Sequence, residues 1–131
     1  MIVEDDSSIA LLLGEELKTK GYSVIHQSKV NPAFTYAKDE QPDCIVVDLL
    51  LGEKQTGWDL VQRLKEEEAT RHIPIVISSA LEEQQDLVNK FNVDHYMTKP
   101  YPLQELSGTI AQALQKRDGL ILYPDEAAAT E

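Results

Sequence analysis

The chain has 131 residues, 42% of them hydrophobic, which fits one packed domain and excludes an intrinsically disordered chain. Acidic side chains outnumber basic ones 23 to 12, and the net charge of −11 argues against direct binding to nucleic acid or to an anionic membrane. The single cysteine, Cys44, excludes an internal disulfide and a cysteine-rich zinc site, and no apolar run approaches the roughly 18–20 residues of a membrane span.

The first half of the sequence alternates short apolar runs with helical patterns. Residues 2–3 predict a first strand, and a helix follows that Ser7 or Ser8 can cap and that Gly21 ends. The apolar stripe of this helix has a period of 3.6 residues: Ile9, Leu12, Leu13 and Leu17. Residues 22–26 predict the second strand. Asn31-Pro32 predicts a helix to residue 40, with Asn31 as its cap, and residues 44–47 predict a strand that is buried on both faces.

The second half continues the same alternation. A helix is predicted over residues 57–68, with Trp58, Val61 and Leu64 facing the core. The remaining predicted elements are a strand at 75–78, a helix at 81–91, a strand at 95–98 and a helix at 102–117. Five strands and five helices in strict alternation predict a doubly wound α/β domain with a parallel sheet over residues 1–118. Residues 119–131 are predicted to be a C-terminal tail or the start of a linker.

The residues that follow the predicted strands differ in character from the strands themselves. Three acids, residues 4–6, follow the first strand, and Asp48 follows the third. The fourth strand is followed by Ser79, next to Ser78, and the fifth ends in Thr98-Lys99. Ligands of an open parallel sheet bind beyond the carboxyl ends of its strands. The sequence therefore predicts a site where carboxylates, a hydroxyl and an ammonium group meet.

Each of these residues also has a purely structural explanation. Asp48 could accept hydrogen bonds from the backbone of the next loop, and Asp6 could stabilise a helix N-terminus. Lys99 could extend into solvent, and Ser79 could cap the helix that follows it. All of these residues, however, lie at the same ends of their strands. This favours a functional site over a separate structural role for each residue.

The predicted set of side chains suits phosphoryl transfer. Clustered carboxylates raise one another's proton affinity unless a cation separates them, and oxygen ligands suit Mg²⁺. A carboxylate beside Mg²⁺ can attack a phosphoryl group and form an acyl phosphate. Mg²⁺, the Lys99 ammonium and the Ser79 hydroxyl would each take up one of the phosphoryl oxygens.

Four motifs in this order resemble the receiver domain of two-component response regulators. The motifs are IVEDD at 2–6, IVVDLLL at 45–51, PIVISSA at 74–80 and YMTKP at 96–100. Single motifs are weak signals, but the ordered four cover nearly the whole chain. The resemblance implies a flavodoxin-like fold with the strand order 2-1-3-4-5.

The resemblance also implies roles for the acidic residues. Asp48 would be the phosphoacceptor, and Asp5 would bind Mg²⁺ directly. The backbone carbonyl of Leu50 would complete the metal site, and Glu4 would act on the metal through water. Mg²⁺ is the cofactor that the resemblance implies.

A second group of residues corresponds to the switch of receiver domains. Ser79 would be the switch hydroxyl, Tyr96 the switch aromatic residue, and Lys99 the lysine that contacts the phosphoryl group. Their rearrangement is expected to repack the face made by the fourth helix, fifth strand and fifth helix. This face includes Lys90, Tyr96, Tyr101 and Glu105.

The loop after Asp48 departs from the usual pattern of the family. Gly52 stands where a proline is usual, and Thr56-Gly57 replaces an aspartate-glycine pair, about one residue late. Leu50 and Leu81 occupy the two positions that flank the approach of water in receiver domains. Both are apolar, so the resemblance implies slow loss of the phosphoryl group.

These features together predict a phosphoacceptor domain that receives its phosphoryl group from a histidine kinase or a phosphotransfer protein. Its output would pass to a downstream protein or through a homodimer, without nucleic acid or membrane contact by this chain. It is not expected to be an enzyme beyond its own phosphorylation and dephosphorylation. The chain could stand alone or belong to a larger protein, and a cytoplasmic location is expected, since residues 1–6 resemble no signal peptide.

Two alternatives remain open at the level of sequence. One is an interaction module of the same fold that works without phosphorylation, and the presence of Asp5, Asp48, Ser79 and Lys99 weighs against it. The other is an aspartate-nucleophile phosphohydrolase, against which Leu49-Leu50 after Asp48 and the lack of a cap insertion argue.

Overall fold

The computed structural model describes residues 1–52 and 54–118, which form one parallel sheet in the order β2-β1-β3-β4-β5. The strands are β1 (Ile2–Val3), β2 (His26–Gln27), β3 (Ile45–Val47), β4 (Ile75–Ser79) and β5 (His95–Thr98). In the register, Ile2 lies opposite His26 on one side and opposite Val46 on the other. The predicted doubly wound α/β fold and its strand order are confirmed.

Five helices among the described residues cover the two faces of the sheet. They are α1 (Ser7–Thr19), α2 (Val30–Glu40), α3 (Gly57–Glu66), α4 (Gln85–Phe91) and α5 (Leu103–Asp118). Helices α1 and α5 pack together on one face, whereas α2 and α3 pack on the other with α4 beside α3. This arrangement leaves the carboxyl edge of the sheet, where the strands end, uncovered by helices.

The unbroken apolar strands supply both faces of the core. Ile45 and Val47 of β3 face the cluster that α2 and α3 cover, and Val46 faces the cluster of α1 and α5. The same alternation recurs in β4, because successive side chains of a strand point to opposite faces. All three residues of β3 are buried, as a central strand of a covered parallel sheet requires. Cys44, which precedes β3, is buried and forms no disulfide.

The second strand is shorter and later than predicted. The run 22–26 has strong β propensity, but only His26 and Gln27 pair with β1. Tyr22 and Val24 instead pack, partly buried, against the cluster of α1 and α5. The prediction failed because an edge strand exists only where its neighbour offers hydrogen bonds, and β1 is two residues long.

The predicted caps of the first two helices are wrong. Asp6, rather than Ser7 or Ser8, caps α1, and its side chain accepts hydrogen bonds from the backbone N–H groups of Ser8 and Ile9. Asn31 is not the cap of α2 but lies inside this helix, which begins at Val30. Its side-chain oxygen instead accepts a hydrogen bond from Arg63 Nη1 at 2.6 Å.

The predicted apolar stripe of α1 also needs a correction. Leu12 is 55% exposed, whereas Ala10, Leu13, Gly14 and Leu17 form the buried stripe. The register of the buried stripe follows from contact with α5 and β1, which the periodicity of the sequence does not specify.

Differences in the second half concern mainly the fourth helix. It begins at Gln85 instead of residue 81, and α3 ends at Glu66 instead of residue 68. Strand β4 continues to Ser79, one residue beyond its prediction, and α5 agrees with its prediction to within a residue. The predicted tail, 119–131, lies outside the described residues. Within the part of the chain that is described, no helix has the length and apolar character to cross a lipid bilayer.

Candidate functional site

Three carboxylates meet at the carboxyl edge of the sheet. Glu4 and Asp5 follow β1, and Asp48 follows the neighbouring strand β3. One oxygen from each of these side chains lies within 4.8 Å of the others, the one acidic cluster of this kind in the described part of the chain. Glu4 and Asp48 are buried and Asp5 is exposed, so the cluster opens to water on the side of Asp5.

Asp48 uses its two oxygens differently. Its backbone N–H donates to the Val3 carbonyl at 2.9 Å, which fixes the end of β3 beside β1. One side-chain oxygen accepts a hydrogen bond from the Leu50 N–H at 3.0 Å, as the structural explanation predicted. The other oxygen lies 3.2 Å from Lys99 Nζ. The side chain is therefore oriented by its own loop, while one oxygen faces the lysine.

Lys99 bridges the two buried carboxylates. It follows β5 and its Nζ donates to Glu4 Oε1 at 2.8 Å as well as to Asp48. Its backbone N–H donates to the Ser79 carbonyl at 2.8 Å, which fixes its position relative to β4. Only 19% of the side chain is exposed, so the alternative of a lysine that simply extends into solvent is wrong.

The electrostatics of the cluster leave an excess of negative charge. Burial raises the pKa of Glu4, the Asp48 charge adds to this rise, and the hydrogen bond from Lys99 opposes it. Burial alone would lower the pKa of Lys99, but the hydrogen bond to Glu4 and the charge of Asp48 outweigh burial and raise it. One ammonium group faces three carboxylates, and a divalent cation would offset the remaining charge.

The donor atoms of the cluster fit Mg²⁺. They are carboxylate oxygens, which this ion prefers, and the exposed Asp5 leaves room for the water ligands that Mg²⁺ retains. Among the described residues, the cluster contains no histidine or cysteine, the ligands that zinc and copper prefer, so a zinc or copper site is a poor fit. The direct role of the Leu50 carbonyl remains a prediction.

Ser79 and Tyr96 contact the same short segment between β4 and α4. Ser79 is fully buried, and its hydroxyl oxygen accepts from the Leu81 N–H at 3.3 Å. The Tyr96 hydroxyl donates to the carbonyls of Leu81 and Glu82, at 2.7 and 3.1 Å. Since α4 begins only at Gln85, Ser79 does not cap it, and that alternative is wrong.

The face predicted from α4, β5 and α5 is only partly a free surface. Lys90 and Glu105 are exposed and Tyr96 is half-buried. The Tyr101 hydroxyl, however, lies 2.6 Å from the hydroxyl of the buried Ser78. Burial raises the pKa of Tyr101. The hydroxyl of Tyr101 is thus held by Ser78 of β4.

Two contacts at the site were not found from the sequence. The backbone of Gly57 lies against Asp48 and Leu49, so closely that a side chain would overlap them. His26 Nε2 donates to the Glu4 carbonyl at 2.7 Å and ties β2 to the start of the acidic run. The only signal in the sequence for the close approach of Gly57 was a glycine directly after a helix cap. Nothing in the sequence indicated the hydrogen bond of His26.

Comparisons with known proteins agree with this geometry. The model of the response regulator receiver domain family matches residues 1–111. The DNA-binding dual master transcriptional regulator RpaA of Synechocystis is 32% identical over 120 residues, 90% of this chain and 49% of its own length. The chain thus spans about half the length of the curated relatives it matches.

Two solved structures are similar along most of the chain. A putative response regulator from Chloroflexus aurantiacus has a TM-score of 0.79 at 26% identity, covering 86% of this chain and 93% of its own. The signal receiver domain of a histidine kinase from Syntrophus aciditrophicus has a TM-score of 0.78 at 25% identity. That match covers 98% of this chain and 95% of the other.

Proposed function

The chain belongs to the response regulator receiver domain family, and we propose that Asp48 accepts a phosphoryl group from a histidine kinase or a phosphotransfer protein. The observation that carries the proposal is the position of one Asp48 oxygen. It lies 3.2 Å from Lys99 Nζ, beside Glu4 and Asp5, in a side chain of which 8% is exposed. A carboxylate held in this way meets the geometric requirement of a nucleophile next to cationic groups.

The residues present allow a balanced transfer step. An Asp48 oxygen forms a bond to phosphorus while the bond from phosphorus to the donor nitrogen breaks, and the electron pair leaves with that nitrogen. Lys99 neutralises one phosphoryl oxygen, and the Ser79 hydroxyl donates a hydrogen bond to another. Asp5, Asp48 and the Leu50 carbonyl would hold Mg²⁺, with Glu4 acting through water, and the ion supplies positive charge to the phosphoryl group when bound.

The same geometry supports a switch. The Ser79 hydroxyl accepts a hydrogen bond from the N–H of Leu81, whose carbonyl also accepts from Tyr96, so a shift of Ser79 towards a phosphoryl oxygen would loosen this segment. Release of this segment would shift a pre-existing equilibrium at α4, β5 and α5, where a downstream protein or a second copy would bind. The proposal includes no enzymatic activity beyond the domain's own phosphorylation and dephosphorylation, and a cytoplasmic location in keeping with the single cysteine of the chain.

Phosphorylation by a small phosphodonor tests the proposal. With phosphoramidate and Mg²⁺, the wild type should gain one phosphoryl group on the peptide that contains Asp48, detected by mass spectrometry. Asp48→Asn should remain unmodified, and Asp43→Asn, an exposed position just before β3, should behave as the wild type. A phosphorylated Asp48→Asn protein would contradict the assignment.

Beryllofluoride distinguishes a phosphorylation-dependent switch from an interaction module that works without phosphorylation. Bound with Mg²⁺, it should change the amide chemical shifts of Ser79, Leu81 and Tyr96. Unchanged amide shifts at all three residues would favour the module.

Slow loss of the phosphoryl group is a separate prediction. Leu50 and Leu81 are large apolar residues, 50% and 38% exposed, and each lies two residues beyond a predicted site residue, Asp48 or Ser79. Neither can orient a water molecule by hydrogen bonding, and both can exclude water from the phosphorus. Leu50→Asn combined with Leu81→Glu should therefore accelerate phosphate release, measured against the wild type. Equal release rates would show that these two positions do not control water access.

A further inference from the structure

Gly52 lies directly against the carboxylate of Asp5. Its backbone has φ +67°, in the left-handed region that side chains other than those of glycine and asparagine rarely adopt. A Cβ atom at this position would stand 2.6 Å from Asp5 Oδ2, well inside the contact distance of carbon and oxygen. The loop that follows β3 therefore crosses the acidic cluster at a point where a side chain would overlap the Asp5 carboxylate in its present orientation.

We propose that Gly52 is a positioning residue of the metal site, whose missing side chain lets the Asp5 carboxylate point towards Asp48. This inference rests on the proposed function. It assigns a role to the position at which this chain departs from the proline usual in receiver domains. A proline could not replace Gly52 in this loop, because its ring fixes φ near −65°.

The effect of a side chain at position 52 should be selective for the metal. Asp5 is exposed, so in the metal-free protein its carboxylate can turn into solvent and relieve the overlap at little cost. Metal binding requires the opposite, because the oxygens of Asp5 and Asp48 that would bind the ion must stay close together, as they do here, within 4.8 Å of one another. A Cβ atom at position 52 therefore favours the orientation of Asp5 that faces solvent, whereas the metal needs the orientation that faces Asp48.

Gly21 provides a matched control. It too has a positive φ, of 91°, but no atom lies within 4 Å of the place where its Cβ would be. Gly21→Ala thus introduces the same type of backbone strain without any contact to the site. Of the two substitutions, only Gly52→Ala places a Cβ atom against the Asp5 carboxylate.

Calorimetric titration with Mg²⁺ and thermal unfolding of the metal-free proteins test the proposal. We expect similar thermal destabilisation in Gly52→Ala and Gly21→Ala. Only Gly52→Ala should bind Mg²⁺ more weakly, by roughly 10- to 100-fold, the usual effect of disturbing groups that orient a metal ligand. Gly52→Asn, which tolerates the left-handed backbone but carries the same Cβ, should show the same loss of affinity if the alanine variant does not fold.

The Asp5→Ala background decides whether Gly52 acts through Asp5. There the carboxylate is absent, so adding Gly52→Ala should cause no further loss of Mg²⁺ affinity. An unchanged affinity in Gly52→Ala alone, or an equal further loss in the Asp5→Ala background, would overturn the inference. A wild type that does not bind Mg²⁺ at all would instead contradict the proposed function.

Discussion

Replacing Lys99 by methionine is expected to lower the free energy of unfolding by about 2 kcal/mol at neutral pH without divalent cations. The Lys99 ammonium contacts the buried carboxylates of Glu4 and Asp48 at 2.8 and 3.2 Å. Methionine keeps much of the side-chain volume but leaves both carboxylates without their cation. The expected loss lies below the roughly 3–5 kcal/mol of a fully buried pair, because 19% of the Lys99 side chain is exposed.

The loss should shrink as the pH falls. Burial and the Asp48 charge raise the pKa of Glu4 above 4.5, and Lys99 opposes this rise. Without Lys99 the pKa of Glu4 rises further. As the pH falls, Glu4 therefore takes up its proton in the folded variant before it does so in the unfolded chain, where its pKa is near 4.5. The variant therefore gains stability as the pH falls from neutral towards 4.5.

In the wild type, the stabilising contribution of Lys99 has a different pH window. On the alkaline side, the raised pKa of Lys99 keeps this contribution in place from neutral pH up to pH 10.5, and it is lost only as the pH passes above the raised pKa.

Urea unfolding at about pH 7 and about pH 5, with a chelator or with Mg²⁺, measures these effects. Lys18→Met is the control, since Lys18 pairs with Glu15 at 3.5 Å and both side chains are more than half exposed. The control should change stability by less than about 0.5 kcal/mol. Mg²⁺ should restore part of the stability of Lys99→Met by supplying positive charge to the same carboxylates. Equal losses at Lys99 and Lys18 would contradict the electrostatic account of the site.

Gly57→Ala is expected to destabilise the protein by about 3 kcal/mol or to prevent folding. The new Cβ would overlap the Asp48 carbonyl oxygen and would stand 2.7 Å from Leu49 Cα. Both are backbone atoms, which cannot rotate away as a side chain can. Relief would require α3 to move off the end of β3 and would break the hydrogen bond from the Gly57 N–H to the Leu49 carbonyl, 3.0 Å long.

Gly108→Ala is the matched control for this substitution. Gly108 lies within α5, and nothing lies within 4 Å of the position of its Cβ. Alanine is the better helix former, so this variant should gain up to about 1 kcal/mol. Urea unfolding of both variants checks the prediction, and a Gly57→Ala protein as stable as the wild type would refute the close approach at Asp48.

Much of the fold followed from the sequence because each element carried its own pattern. The unbroken apolar run at 44–47 predicted a strand buried on both faces, and the structure shows this burial for β3. Alternation of such runs with amphipathic helices predicted a parallel sheet, and a parallel sheet brings all strand ends to one edge. The gathering of Glu4, Asp48 and Lys99 was therefore predictable, although their strands are far apart in sequence.

The errors occurred where a residue had two possible partners. Asn31 is a good helix cap by residue type, yet Arg63 of α3 binds its side chain. Residues 81–84 were predicted as helix, but Ser79 and Tyr96 hold the backbone of Leu81 through its N–H and its carbonyl. Local propensity cannot anticipate such contacts, because the competing groups come from distant parts of the chain.

The sequence by itself thus determined the order of the elements and which chemical groups lie at the carboxyl edge of the sheet. Only the tertiary structure decided that Lys99 bridges Glu4 and Asp48, and that Gly52 and Gly57 leave no room for a side chain beside Asp5 and Asp48. The physical reason is one of range. A burial pattern can be recognised within a few consecutive residues of the sequence. Distances of about 3 Å between side chains depend instead on how whole elements pack.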